Sequence, residues 1–172
     1  MIKSFKIISL LITLLLLIPA LSLAAQYKVT RVYDGDTIKA KGHDITIKVR
    51  LVGIDTPETS KKKREPGQPY SQQAKKHLVG LLLNKVVEIK GYGLGPYNRI
   101  LRVVYLNNKN INLEMIRAGL AEVYRGKPPK GLNLNAFWQA EKRAKEKQRG
   151  MWSQGDKYIS PKEWRKMHRK KQ

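Results

Sequence analysis

Acidic residues are scarce in this chain, 13 Asp and Glu against 35 Lys and Arg, and several of them fall into two short clusters. The first is Asp34-Gly35-Asp36-Thr37 and the second is Asp55-Thr56-Pro57-Glu58-Thr59. Carboxylates gathered in a strongly basic protein suit a hard cation, because calcium takes its oxygen ligands from carboxylates, backbone carbonyls and water. Pro57 biases Thr56 toward an extended backbone, which would aim the Thr56 carbonyl at such an ion. Taken alone, Asp34-Gly35 reads first as a plain turn. The cluster is not an EF-hand, since the ligand positions that follow hold Ile38 and Ala40. Two arginines complete the set. Arg50 precedes the second cluster and Arg99 follows a glycine-rich stretch. Guanidinium groups bind phosphate oxygens bidentately and stay charged, although a single Arg more commonly ends in a salt bridge or on the open surface. Phosphodiester hydrolysis needs a neutralised phosphate, an activated water and stabilisation of developing charge. One metal, one carboxylate base and two arginines would supply all three.

The formal net charge of the 172 residues is +22. Such a surface attracts polyanions: nucleic acid, anionic lipid or cell-wall polymers. With no Cys in the chain, disulfides and thiolate metal sites are excluded. His43, His77 and His168 show no pair at metal-ligand spacing, so no zinc site is expected. At the N-terminus, Lys3 and Lys6 precede an apolar run from Ile7 to Ile18, then Pro19 and the small residues Ser22 and Ala24. That pattern predicts an export signal cleaved after Ala24. The alternative is an uncleaved membrane anchor, since Ile7 to Tyr27 is uncharged and near the ~20 residues that span a bilayer. Either way the domain is expected outside the cytoplasm, secreted or periplasmic, or anchored facing outward. Losing Lys3 and Lys6 leaves a charge of about +20, so the basicity belongs to the domain.

The elements that must position the clusters follow from periodicity. Alternation predicts strands over Tyr27 to Val32 and Thr37 to Ala40, with Asp34-Gly35 as the turn between them. The clearest strand places Ile45, Ile47, Val49 and Leu51 on one face and Thr46, Lys48 and Arg50 on the other. Ser60 to Gln68, with Lys61, Lys62, Lys63 and Arg64, reads as a mobile, exposed loop. Pro69 could open a helix in which Ala74, Leu78, Leu81 and Leu82 recur at helical spacing. Val86 to Lys90 reads as a strand, Gly91 to Pro96 as a loop, and Ile100 to Leu106 as a strand. Asn112 is the expected cap of a short helix closed by Gly119, and Leu120 to Tyr124 the last strand. Asn135 to Arg149 reads as a helix with Ala136, Ala140 and Ala144 on one face, ended by Gly150. Trp152 is expected to pack just beyond it. The tail from Pro161, with Lys162, Arg165, Lys166, Arg169, Lys170 and Lys171, is expected to be loose. Strands outnumber helices and one helix interrupts the strand series, which suits a small closed β-barrel carrying helices, an OB-fold. The organisation expected is a signal over 1–24, one domain over 25–153 and a basic tail over 154–172.

Asp34-Gly35-Asp36-Thr37, Arg50-Leu51, Asp55-Thr56-Pro57-Glu58-Thr59 and Tyr97-Asn98-Arg99, in that order and spacing, resemble the staphylococcal (micrococcal) nuclease family. Asn112 to Tyr124 and the helix ending in Gly150-Met151-Trp152 are also similar to that family, so the resemblance runs from about Tyr27 to Ser153. It implies an α+β fold, a five-stranded OB-fold barrel with about three helices. It also implies a monomeric, sugar-nonspecific endonuclease that uses one calcium ion on DNA and RNA and leaves 3′-phosphate ends. By position, Asp36 and Asp55 would be the carboxylate ligands and the Thr56 carbonyl a third. Glu58 would be the general base or orient the attacking water, and Arg50 and Arg99 would clamp the phosphate. Lys61, Lys62 and Lys63 would flank the substrate, with Tyr97 and Tyr124 as aromatic surface. The chain departs from the family pattern at Asn98, where Gly is usual, at Pro96, where a basic residue is common, and in a shorter segment after Val123 that keeps only Tyr124. A nucleic-acid-binding module without activity and a basic envelope protein are the competing readings. Neither accounts for filled catalytic and calcium positions.

Overall fold

The computed structural model describes residues 26–60, 65–94 and 100–168. Segment 1–24 and residues Lys61, Lys62, Lys63, Pro96, Tyr97, Asn98 and Arg99 lie outside the described residues. Five strands form the barrel: β1 (Gln26–Val32), β2 (Thr37–Lys41), β3 (Thr46–Leu51), β5 (Val86–Leu94) and β6 (Ile100–Leu106). They run in the order β3-β2-β1-β5-β6, and a parallel pairing of β3 with β6 closes the ring. Three short strands join the barrel strands or lie beside them: β4 (Ile54–Asp55), β7 (Lys109–Asn110) and β8 (Glu122–Val123), with β4 pairing β8. Among the described residues the helices are α1 (Ser71–Leu82), α2 (Ile111–Arg117), α3 (Asn135–Glu146), a 3-10 segment over Gly150–Lys157, and α4 (Pro161–Met167). The architecture is the five-stranded mixed barrel with helices expected of an OB-fold.

The inward faces follow the apolar pattern. Ile47, Val49 and Leu51 are buried on β3 and Lys48 is exposed between them. Ile45 is not part of that face; it lies before the strand and is 55% exposed. On β1, Val29 and Val32 are both buried although three residues apart. A regular strand would turn one of them outward. The register with β2 shifts between Val29 and Arg31, a bulge that returns Val32 to the core opposite Ile38. Each of these burials contributes roughly 1.5–3 kcal/mol, so the barrel core is the main term holding the strand ends where they are.

Several local expectations change. β5 continues through Gly91 to Leu94 with a register shift against β6, and Arg102 of the paired strand lays its guanidinium over Gly91, where a Cβ would stand 2.7 Å from Nη1. The last strand is reduced to Glu122–Val123. Helix α3 buries Phe137, Ala140, Glu141 and Ala144, with Ala136 exposed, and ends at Glu146 before Gly150. The cap of α2 is Asn110, whose side chain accepts from Leu113 N at 3.1 Å. Asn112 is instead wholly buried inside the helix. It accepts from Val104 N at 3.1 Å and donates to Val52 O at 2.9 Å and Arg102 O at 3.1 Å. It therefore staples α2 to β6 and to the turn after β3.

Segment 158–167 is ordered rather than loose. Ser160 and Glu163 form a capping box at the start of α4, and Pro161 is buried at its first turn. Gln68 Nε2 donates to Ile159 O at 2.7 Å, and Tyr158 Oη donates to Glu122 Oε2 at 2.8 Å. The chain beyond the expected domain end thus folds back over the barrel.

Replacing Asn112 with Ala leaves Val104 N–H and Val52 C=O buried without their side-chain partner. Unmet buried groups of this kind cost about 1–3 kcal/mol each. Urea unfolding of Asn112→Ala should show a loss of about 2–4 kcal/mol. A loss under about 1 kcal/mol would refute the stapling role.

Candidate active site

The two acidic clusters meet at one end of the barrel. Arg50, at the end of β3, is the register partner of Thr37, and so lies beside Asp36 at the start of β2. The alternation of β3 turns Arg50 away from the core, as the sequence predicts, but not into open solvent; its side chain is 17% exposed. Beyond Leu51 the chain reverses at Gly53, whose φ of 80° is strained for any residue with a Cβ. That reversal brings Ile54–Asp55 into pairing with β8, Asp55 opposite Glu122. The first cluster closes against the second through Gly35. A Cβ there would stand 2.9 Å from both the Cβ of Ala74 and the Cβ of Thr56, so only glycine permits this approach.

Arg50 bridges the carboxylates. Its Nη1 lies 2.5 Å from Asp36 Oδ2 and its Nη2 donates to Asp55 Oδ1 at 3.1 Å. Asp36 is further fixed by Thr37 Oγ1, which donates to its Oδ1 at 2.9 Å, and by its carbonyl, which accepts from Leu51 N at 2.8 Å. Asp34 makes the turn: its Oδ1 accepts from Asp36 N at 3.1 Å. Asp36, Asp55 and Thr56 are all buried. Burial pushes the Asp36 carboxyl up to about 7, against the opposing pull of Arg50 and with added repulsion from Asp34 and Asp55. Burial also draws the Arg50 guanidinium down, but Asp36 and Asp55 outweigh it and hold the group above the usual arginine value.

Glu58 stands at the rim, its side chain 35% exposed. Its backbone is held by Gln68, whose Oε1 accepts from Glu58 N at 3.0 Å and whose N donates to Glu58 O at 2.8 Å. Gln68 is buried, contrary to the exposed loop expected there. Sequence gives no signal for this role; an amide between Gly67 and Pro69 looks like any loop residue. Glu141 is a second residue that sequence reasoning missed. Buried on α3, it accepts from Val123 N at 2.8 Å and takes both its oxygens to Arg125 at 2.8 Å. It pins β8, and through β8 the Asp55 strand. Burial also pushes Glu122 up, despite the Tyr158 hydrogen bond, and its Oε1 has no hydrogen-bond partner among the described residues.

The structure therefore brings together Asp36, Arg50, Asp55, Thr56 and Glu58. Tyr124, two residues past Glu122, is 40% exposed. Lys61, Lys62, Lys63, Tyr97 and Arg99 fall outside the described residues. Among the described residues no group of three or more His, Asp or Glu side chains is placed to hold a metal. A cation here would draw on Asp36, Asp55 and a backbone oxygen such as that of Thr56. All of these are hard oxygen donors, and the burial that raises the Asp36 carboxyl would be relieved by positive charge, so the donor set fits a hard divalent ion. One partner of this site comes from far along the chain. Arg165, on α4, donates from Nη1 to Asp55 Oδ1 at 3.0 Å and from Nη2 to Asp55 Oδ2 at 2.6 Å. Its Nη1 also reaches Glu58 Oε1 at 2.5 Å.

A carboxyl whose folded value is raised binds its proton more tightly folded than unfolded. Its contribution to stability is present below the unfolded value near 3.8 and is lost as pH rises toward about 7. In chelator, unfolding free energy measured at intervals between pH 4 and pH 7 should fall more steeply with pH in the wild type than in Asp36→Asn. Parallel slopes would show that Asp36 does not titrate in this range.

Comparison with known proteins identifies the family. Residues 48–154 match the model of the family described as staphylococcal nuclease homologue. A Haemophilus influenzae protein described as an uncharacterized endonuclease is 36% identical over 166 residues, which cover 93% of this chain and 86% of that one. Fungal proteins described as probable endonuclease LCL3 are also similar. The one from Debaryomyces hansenii is 35% identical over 131 residues, 73% of this chain and 55% of its own, and the one from Paracoccidioides lutzii is 35% identical over 143 residues, 74% and 40%. The chain thus spans about half the length of these two fungal relatives. The family match over more than half of the chain, the Haemophilus influenzae relative and the closed five-stranded barrel together show that this chain belongs to the staphylococcal nuclease family.

Proposed function

We propose that this protein is an exported, calcium-dependent endonuclease that hydrolyses phosphodiester bonds of DNA and RNA and leaves 3′-phosphate ends. The observation that carries the reading is Arg50 held between two buried carboxylates, Asp36 and Asp55, with Glu58 at the open rim beside them. The names of the relatives, endonucleases in bacteria and fungi, support the reaction class. The net charge of +22 supports a polyanionic substrate.

Each residue then has a task. Asp36, Asp55 and the Thr56 carbonyl would hold the cation. When bound, calcium supplies charge neutralisation at the phosphate and a point of attachment for one of its oxygens. Arg50, charged and positioned between Asp36 and Asp55, would turn its fork from them to the equatorial phosphate oxygens as negative charge accumulates there. Arg99, by its place in the family pattern, is assigned the opposite side of the phosphate. Glu58 accepts a proton from water, or holds that water in line, as its oxygen attacks phosphorus. The bond from phosphorus to the 5′ oxygen breaks, and the departing oxygen takes a proton. One strand then ends in a 3′-phosphate and the other in a 5′-hydroxyl. The N-terminal segment is assigned to export by its basic start, apolar run and small-residue site.

Protein beginning at Gln26 tests the reading on single-stranded DNA and on RNA, with calcium and with excess chelator. Cleavage should require calcium and fall by at least about a thousandfold in Glu58→Gln, with substrate binding retained. Arg99→Lys should be comparably severe, because an ammonium lacks the bidentate fork. Tight binding without cleavage in any divalent metal would instead favour a binding module.

A further inference from the structure

Of the carboxylates assigned to the site, Asp55, proposed to hold the cation, and Glu58, proposed to serve the attacking water, are not open in this fold. Both oxygens of Asp55 and one of Glu58 are engaged by the single guanidinium of Arg165. The parallel fork on Asp55 is the strong, directional form of this interaction. Nor is Arg165 a stray surface side chain. The segment that delivers it is fixed by the Gln68–Ile159 and Tyr158–Glu122 hydrogen bonds, and Trp152 packs on Tyr158 with centroids 4.5 Å apart. Gln68 touches both sides of the contact: one end of its amide accepts from Glu58 N, the other donates to Ile159 O.

A calcium ion sits about 2.3–2.6 Å from its carboxylate oxygens. Arg50 takes only Asp55 Oδ1, whereas Arg165 also covers Oδ2, so no Asp55 oxygen is left open to a divalent ion. An ion placed there would stand a few ångströms from a second guanidinium, where repulsion is strong even with partial solvent screening. We propose that α4 is an intramolecular latch, in which Arg165 occupies the Asp55 and Glu58 carboxylates and is displaced when a divalent cation binds. This rests on the cation-dependent reading of the site. The latch lowers apparent cation affinity by the fraction of molecules in which it is closed. It also keeps the water-activating carboxylate neutralised until the cation arrives.

Arg165→Gln removes the charge at a side chain that is 40% exposed, on the last helix described, while the Gln68–Ile159 and Tyr158–Glu122 hydrogen bonds that hold the segment remain. A second variant, ended after Ser160, removes α4 altogether. Calcium is titrated calorimetrically into each protein without nucleic acid, and the indole N–H signal of Trp164 of α4, stacked on His168 just past the helix, is followed by NMR in the full-length proteins. Both variants should bind calcium more tightly than the wild type, by roughly three- to tenfold. Calcium should shift the Trp164 signal in the wild type far more than in Arg165→Gln. Equal or weaker calcium binding in both variants overturns the latch, and so does a Trp164 signal that ignores calcium in the wild type. Absence of calcium binding in all three proteins overturns the cation reading and the latch together. Tighter binding in the variants without nuclease activity in any protein keeps the latch and removes the proposed reaction.

Discussion

Removing carboxylates from water is costly unless positive charge comes with them. At one end of this barrel Asp36 and Asp55 are both nearly inaccessible, and Arg50 is shared between them. The arrangement of the surrounding chain follows from keeping that cluster compensated. Thr37 donates to Asp36, Gly35 lets the first acidic turn press against Thr56, and Gly53 turns the chain so that Asp55 can arrive from the other side. Burial still wins at Asp36, whose carboxyl holds its proton well above the ordinary aspartate range. Arg165, reaching both oxygens of Asp55 from α4, adds a second guanidinium to that cluster.

The barrel supplies rigidity where the cluster needs it. Arg50 sits on β3, flanked by the β2 pairing on one side and the parallel β6 pairing on the other. A residue so placed cannot shift without disturbing the closure of the sheet. Asp55 has less regular support, a two-residue strand, and the helices compensate. Glu141 fixes β8 from α3, and Asn112 ties α2 to the Val52 carbonyl just before the Gly53 reversal. Charged and amide side chains buried in these positions spend their hydrogen bonds on backbone groups that no strand partner reaches.

The sequence was most informative where periodicity and chemistry coincide. Strict alternation placed Arg50 on the outward face of β3, and the strand boundaries of β6 follow directly from its apolar run. It was least informative where two similar residues compete for one role. Asn110 and Asn112 stand two positions apart, and only the packing of α2 on β6 decides which one caps and which one staples. Ala136 and Phe137 differ by one residue, and the buried face of the helix takes Phe137 together with Glu141, which meets Val123. Glycines at 91 and 93 suggested a break, but the strand runs on through both, and at Gly91 a cross-strand arginine lies where a side chain would have stood. Arg165 meets Asp55 across 110 residues of sequence, a separation that no local pattern reports. Even so, Ser160-Pro161 followed by Glu163 carries the capping signature of a helix where a loose tail was expected.

The position of α4 has a practical consequence for handling the protein. An expression boundary drawn at residue 154, where the family match ends, would take Tyr158 away from Glu122 and Arg165 away from Asp55, and would leave both carboxylates without those partners. Recombinant material that keeps the residues through Met167 retains both contacts.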